Sequence, residues 1–168
     1  MKKIALLLLI IVAACSKPEP TFFNHDGVSF SMPGDWKISE QQPIEEIGYY
    51  IAAQKDGFSS SGLFTLTWVK GDLDLAGNIK IYQEEMQNNV VYKSSNLAFT
   101  EVKPSKFAGH ETLASDFSAK IISVQHRGTI HAFLHNGVTY TVLVQEANDD
   151  EDDNKEGFEL IEKTFKVK

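Results

Sequence analysis

The fold of this chain is decided by the stretch Ile130-His131-Ala132-Phe133-Leu134-His135-Asn136-Gly137-Val138-Thr139-Tyr140-Thr141-Val142-Leu143. Asn-Gly accepts the positive φ values that a two-residue type I′ turn requires, and the flanking residues are rich in strand formers. The stretch therefore predicts a hairpin of fixed register. Its opposed pairs are His135 with Val138, Phe133 with Tyr140, and His131 with Val142.

Both faces of this predicted hairpin carry apolar side chains. A sheet with one face in water would alternate between apolar and polar residues. One face carries His131, Phe133, His135, Val138, Tyr140, Val142 and Val144, and the other carries Ile130, Ala132, Leu134, Thr139, Thr141 and Leu143. We therefore expect other elements to cover both faces, at least in part.

The strands predicted before the turn of this hairpin include its own first strand. They are expected at residues 27–33, 47–54, 63–70, 97–102, 112–125 and 127–135, with a turn at residues 104–110. Residues 47–54 and 63–70 are joined by a Gly- and Ser-rich connection and should form a second hairpin. Trp36 and Ile38 continue one face of the first strand, and Trp36 is expected in the core.

Two segments show the period of a helix. Leu75, Ile79, Tyr82, Met86 and Val90 recur at steps of three and four, which predicts a helix at residues 73–92. Asp72 or Asp74 can cap its start. A final helix is expected at residues 153–165, with Phe158, Ile161 and Phe165 on one stripe. Tyr82, Met86, Tyr49, Tyr50 and Trp68 are interpreted as core residues.

The first fifteen residues predict export. Lys2 and Lys3 precede an apolar run, residues 4–14, which is too short to span a bilayer core of about 30 Å. The segment Val12-Ala13-Ala14-Cys15 resembles the lipobox of bacterial lipoproteins. This resemblance implies a lipid on Cys15 and cleavage before it. An ordinary signal peptide with a chance Cys is the alternative.

These features divide the chain into three segments. We expect a lipoprotein signal peptide at residues 1–14, a lipidated tether at residues 15–21 and one domain at residues 22–168. The tether contains two prolines, which favour an extended backbone. The predicted location is the cell envelope, with the membrane bound through the lipid on Cys15. Ser16, in place of the Asp that favours inner-membrane retention in Gram-negative bacteria, favours the outer membrane.

Charge and cysteine content exclude some classes of function. The net charge is −7, and it becomes −9 when Lys2 and Lys3 leave with the signal peptide. Nucleic-acid binding relies on Lys and Arg contacts to phosphate, so we expect no nucleic-acid partner. Cys15 is the one cysteine of the sequence. If it carries the lipid, the fold contains no disulfide.

Two stretches resemble PsbP-like domains. They are Gly27-Val28-Ser29-Phe30-Ser31-Met32-Pro33-Gly34-Asp35-Trp36 and Phe107-Ala108-Gly109-His110-Glu111-Thr112-Leu113, and the terminal helix also fits. The resemblance implies an α+β fold, in which an antiparallel β-sheet is flanked by helices as an α/β/α sandwich. This fold serves a photosystem accessory protein, a Ran-binding import factor and many bacterial lipoproteins, so it predicts architecture and not activity.

The sequence nominates no catalytic, cofactor-binding or metal-binding residue. His131 and His135 would chelate a metal on a helix, but on a strand they lie about 13 Å apart. An EF-hand beginning at Asp150 would have Lys155 where glycine is needed. No Gly-x-Ser-x-Gly motif is present.

Two hypotheses for function follow. The preferred one is a binding or accessory module of the envelope, which offers a groove between sheet and helix to a protein or a small ligand. The alternative is an envelope enzyme, hydrolase-like, whose site forms only in the folded chain; a structural role in an envelope complex is a third idea. A pocket that gathers His110, His126 or His131 with a carboxylate would favour the enzyme.

Overall fold

A computed structural model describes residues 18–57 and 60–168. The predicted signal peptide and the lipidation residue Cys15 lie outside these ranges. Within them, no helix combines the length and the apolar character needed to cross a membrane.

The described residues form ten strands, two α-helices and a short 3₁₀ helix. In chain order they are β1 (Thr21–His25), β2 (Val28–Met32), β3 (Trp36–Ile44), β4 (Gly48–Lys55), β5 (Leu63–Lys70), α1 (Leu75–Asn88), β6 (Ala98–Phe99), β7 (Lys103–Phe107), β8 (His110–Ile121), β9 (Val124–His135), β10 (Val138–Ala147), the 3₁₀ helix (Asn148–Asp150) and α2 (Glu151–Thr164).

Eight of these strands form one antiparallel sheet. Its order is β3-β4-β5-β10-β9-β8, and β6 and β7 pair with separate parts of β8. Strands β1 and β2 form a separate hairpin. The predicted hairpin of residues 47–54 and 63–70 is confirmed as β4 and β5.

The central hairpin of β9 and β10 has the predicted register. His135 opposes Val138, and the turn residues Asn136 and Gly137 have φ values of 50° and 73°. Helix α2 and the hairpin of β1 and β2 cover one face of the sheet, which we call the α2 face, and α1 covers part of the other, the α1 face. The predicted α+β sandwich is confirmed.

The α2 face holds a core rich in aromatic rings. Phe30 of the small hairpin lies 5.2 Å from Phe64, centroid to centroid, and Phe133 stacks on Tyr140 at 4.9 Å. Trp36 is 3% exposed and packs against Phe158 of α2, so its predicted place in the core is confirmed.

The α1 face is much more polar. Ile79 and Met86 of α1 are buried in an apolar cluster with Phe117, Ile130, Ala132 and Leu143. Around this cluster the sheet buries hydroxyl and amide groups, those of Thr65, Ser115, Thr139, Thr141 and Gln145. Because buried polar groups need hydrogen-bond partners, α1 bonds Thr65, Thr141 and Ser115, and the segments that flank α1 bond Thr139 and Gln145.

Several local predictions are wrong. Helix α1 ends at Asn88, so Val90 lies beyond it and is 85% exposed. Residues 97–102 contribute only the two-residue strand β6. Most of the expected turn at residues 104–110 is strand β7, and only Ala108 and Gly109 form the turn.

Two strand boundaries were also not predicted. The turn between β8 and β9 is Ile122-Ser123, both with positive φ, and not the break expected near residue 126. Strand β1 begins at Thr21, the last residue of the predicted tether.

Candidate functional site

A groove of about 530 Å³ opens on the α1 face beside helix α1. The helix packs over β8 and β9, and its side turned toward β5 and β4 forms one wall of the groove. Three tyrosines, Tyr50, Tyr82 and Tyr92, line it, so we call it the tyrosine groove. The other lining residues are Gln42, Ile44, Leu63, Thr65, Thr67, Asn78, Ile81, Glu85, Met86, Asn89, Thr141 and Leu143.

A row of polar side chains crosses the base of the groove. Gln42 of β3 pairs with Tyr50 of β4, Tyr50 pairs with Thr67 of β5, and Thr67 pairs with Thr141 of β10. Residues that pair directly across antiparallel strands lie on the same face. Since neighbouring strands are about 4.8 Å apart, the row is about 14 Å long.

Side-chain hydrogen bonds fasten α1 and its following loop to the sheet at one side of the groove. Asn78 Nδ2 donates to Thr141 Oγ1 at 2.5 Å, and the hydroxyls of Tyr82 and Thr65 are 3.1 Å apart. In the loop after the helix, the Tyr92 hydroxyl donates a further hydrogen bond to Gln145 Oε1 at 2.5 Å. The helix-side wall of the groove is therefore held in place by specific polar contacts.

The part of the row that lies away from α1 has no such hydrogen bonds. Among the residues that the structure describes, the side chains of Gln42, Tyr50 and Thr67 have no hydrogen-bond partner. Tyr50 and Thr67 are only partly exposed to solvent. An amide, a phenol and a hydroxyl thus lie side by side with free hydrogen-bonding capacity.

The three tyrosines stay neutral well above neutral pH. Burial raises the pKa of Tyr50 to about 12, and the neighbouring Tyr82 and the carboxylate of Glu40 add to this rise. Burial likewise raises the pKa of Tyr92 to about 12 and raises the pKa of Tyr82. Each phenol can therefore both donate and accept a hydrogen bond, and none supplies a negative charge.

The histidines lie elsewhere. His110 stacks on Phe133 at 4.6 Å and lies 5.3 Å from His135, both centroid to centroid, on the α2 face. His131 Nδ1 lies 3.2 Å from Thr112 Oγ1. His25 packs on the ring of Tyr49 at 4.0 Å. No histidine is among the residues that line the tyrosine groove.

The acidic run at residues 148–156 forms the 3₁₀ helix and the first turns of α2. Three acidic residues, Glu151, Asp152 and Asp153, lie in the first turn of α2, where they favourably face its positive dipole end. Within residues 18–57 and 60–168, no group of three or more His, Cys, Asp or Glu side chains could hold a metal ion.

Tyr50 differs from its predicted role. The sequence interpretation placed it in the core with Tyr49, Tyr82 and Trp68, yet it lines the groove, whereas Tyr82 lines the groove and also packs against the apolar cluster under α1. Tyr49 and Trp68 do pack on the α2 face, with ring centroids 5.1 Å apart. Alternation along β4 sends Tyr49 and Tyr50 to opposite faces, and that signal was available in the sequence.

Solved structures that share this architecture include two from bacteria. Cyanobacterial PsbP (CyanoP) from Synechocystis sp. PCC 6803 is 12% identical, with a TM-score of 0.58, over 92% of this chain and 96% of that chain. The domain has the PsbP-like fold. LpqN of Mycobacterium tuberculosis, involved in cell envelope biogenesis, is also 12% identical, with a TM-score of 0.50, over 88% of each chain. At this identity the likeness shows the PsbP-like fold alone.

No protein-family model and no curated protein sequence matches the chain. The predicted resemblance to PsbP-like domains is nevertheless confirmed at the level of fold by the two structures.

Proposed function

We propose that this protein is a lipid-anchored accessory protein of the bacterial cell envelope whose PsbP-like domain binds a small ligand in the tyrosine groove. The segment Val12-Ala13-Ala14-Cys15 supports the anchor, and Ser16 supports the outer membrane as its location. The shared fold with LpqN, a protein involved in cell envelope biogenesis, is consistent with this setting.

One observation carries the proposed binding role, namely the unpaired row of Gln42, Tyr50 and Thr67. Gln42 is exposed and Tyr50 and Thr67 are half-buried, so their polar groups remain open to the groove and available to a ligand. Asn78 and Tyr82 of α1 form hydrogen bonds with Thr141, at the end of the row, and with Thr65 beside it, so helix side chains serve this partner role here. A ligand in the groove would supply hydrogen-bond partners to Gln42, Tyr50 and Thr67.

The size of the groove agrees with this role. Small-molecule sites usually enclose about 300–1,000 Å³ and combine apolar lining with a few convergent polar groups. The tyrosine groove has about 530 Å³, and Leu63, Met86 and Leu143 lie beside its polar row. Its volume therefore falls in the range of ligand sites, and its lining is more polar than that of most such sites.

The proposal is tested by a fragment screen on the isotope-labelled, detergent-solubilised lipoprotein, followed by amide NMR shifts. We expect fragments of diverse chemistry to shift amides in β4, β5 and α1 around Tyr50 and Thr67 more than elsewhere. Tyr50→Ala should abolish these shifts, whereas Tyr49→Ala on the opposite face of the same strand is the matched control. Fragment shifts that cluster away from the groove would refute the binding role.

A further inference from the structure

The charge of the tyrosine groove disfavours an anionic ligand. Among the described residues that line it, none is Lys, Arg or His, and one, Glu85, is acidic. The carboxylates of Glu40 and Glu85 lie close enough to raise the pKa of Tyr50 and Tyr82 respectively. A phosphate or carboxylate would enter this negative field without a cationic partner and would lose its hydration.

The unpaired row disfavours a cation. Gln42 offers an amide that donates as well as accepts, and Tyr50 and Thr67 each offer a hydroxyl that does both. A metal ion or an alkylammonium group accepts no hydrogen bond, so it would use only the acceptor oxygens of this row and none of its donors. The ligand that satisfies the row must itself both donate and accept.

Apolar surface lies beside this polar row. Leu63, Met86 and Leu143 line the groove together with the rings of Tyr50 and Tyr82. Sugars present hydroxyl groups along their edges and C–H groups on their ring faces, and this combination fits a row of neutral polar groups next to aliphatic and aromatic side chains.

The geometry of the row indicates more than one ring. The unpaired side chains of Gln42, Tyr50 and Thr67 lie on three neighbouring strands and span about 10 Å, which is longer than a single pyranose. We infer that the tyrosine groove binds a neutral oligosaccharide, with Gln42, Tyr50 and Thr67 hydrogen-bonded to its hydroxyl groups. This inference rests on the proposed ligand-binding role. The carbohydrate of the envelope is the source of such ligands nearest to the proposed anchor.

The test titrates the lipoprotein in detergent with maltotriose, cellotriose and N-acetylglucosamine trimer, and in parallel with choline and inorganic phosphate. We expect saturable amide shifts around Tyr50 and Thr67 with at least one trisaccharide and none with choline or phosphate. Tyr50→Phe removes one hydroxyl and should weaken that binding by about 3- to 10-fold. Tyr49→Phe, which changes the opposite face, should leave it unchanged.

The possible failures separate this inference from the proposed function. If fragments bind in the groove but none of the trisaccharides does, the oligosaccharide inference is overturned and the ligand-binding role stands. Binding of choline or phosphate at the groove without a trisaccharide overturns it in the same way. If neither fragments nor sugars perturb the groove, both fail. Trisaccharide binding that survives Tyr50→Ala would place the sugar elsewhere and overturn the inference.

Discussion

Gly157 of α2 lies so close to Trp36 that a Cβ added at position 157 would be 2.7 Å from Nε1 of the indole. Glycine inside a helix normally destabilises it by about 1 kcal/mol relative to alanine. Here the close approach of helix and ring requires it, because Trp36 is 3% exposed and its ring has little room to move. Packing, and not helix propensity, therefore selects the residue at position 157.

Gly157→Ala is expected to lower the free energy of unfolding by about 1–3 kcal/mol, the usual cost of overpacking a core. Trp36→Ala alone should cost about 3–5 kcal/mol. In the Trp36→Ala background, Gly157→Ala should become stabilising, since the clash is gone and the helix propensity of alanine remains. Urea denaturation of the four proteins measures this cycle, and additive effects of the two substitutions would contradict the contact.

The features that the sequence predicted well are set by local chemistry. Asn136-Gly137 specifies its own turn type, so the register of β9 and β10 followed from the two residues alone. The period of α1 likewise showed its buried positions Ile79 and Met86. By contrast, Val90 continues the period, but the helix ends at Asn88, and a loop carries Val90 into solvent.

The features that were missed depend on the tertiary structure. Residues 104–110 were expected to form a turn, yet Lys103–Phe107 is strand β7, which lies at the edge of the sheet, where Pro104 is tolerated. The tyrosine groove exists because α1 packs toward β8 and β9 and leaves the α1 face of β4 beside it open. No local pattern reports where a helix lies on a sheet, so Tyr50 was interpreted as a core residue.

The turn at Ile122-Ser123 is a site where substitution should stabilise the protein. Both residues have positive φ, 46° and 71°, and Ile122 is 93% exposed, so it gains nothing from packing. Positive φ costs a β-branched residue about 1–2 kcal/mol. The double substitution Ile122→Asn and Ser123→Gly reproduces the turn of Asn136-Gly137 and should raise the free energy of unfolding by about 1–2 kcal/mol.

Thermal and urea denaturation of this turn variant provide the measurement. The matched control is Val124→Thr, which changes an exposed apolar residue next to the turn without changing a positive-φ position. An unchanged or lowered stability of the double variant would show that the turn is not strained.

Stability should decline at high pH through the tyrosines of the groove. The pKa of Tyr50 and of Tyr92 is about 12 in the folded protein, above the ordinary value of 10.0 that applies to the unfolded chain. Because folding raises the pKa of these tyrosines, their contribution to the free energy of unfolding is complete below about pH 10. It is lost as the pH rises toward about 12. Urea denaturation at a series of pH values should show this decline.

Tyr50→Phe is the variant that isolates this effect. Its hydroxyl has no hydrogen-bond partner within the described part of the chain, so the substitution removes the titrating group at little structural cost. The variant should lose less stability than the wild type between about pH 10 and about pH 12. Direct titration of Tyr50 by NMR near its ordinary pKa of 10.0 would contradict its burial in the groove wall.

The proposed anchor depends on one sulfur atom, that of Cys15. Cys15→Ala should abolish incorporation of a labelled fatty acid and leave the protein unprocessed or released from the membrane fraction, because no other side chain in the sequence offers a thiol to the lipid. Ser16→Ala is the matched control and should keep the label. Fatty-acid labelling of both variants, with fractionation of the envelope by density, measures the outcome. Stable anchoring needs two acyl chains or more, so the label should follow the membrane fraction in the wild type. A Cys15→Ala protein that still carries the label would refute lipidation at this position.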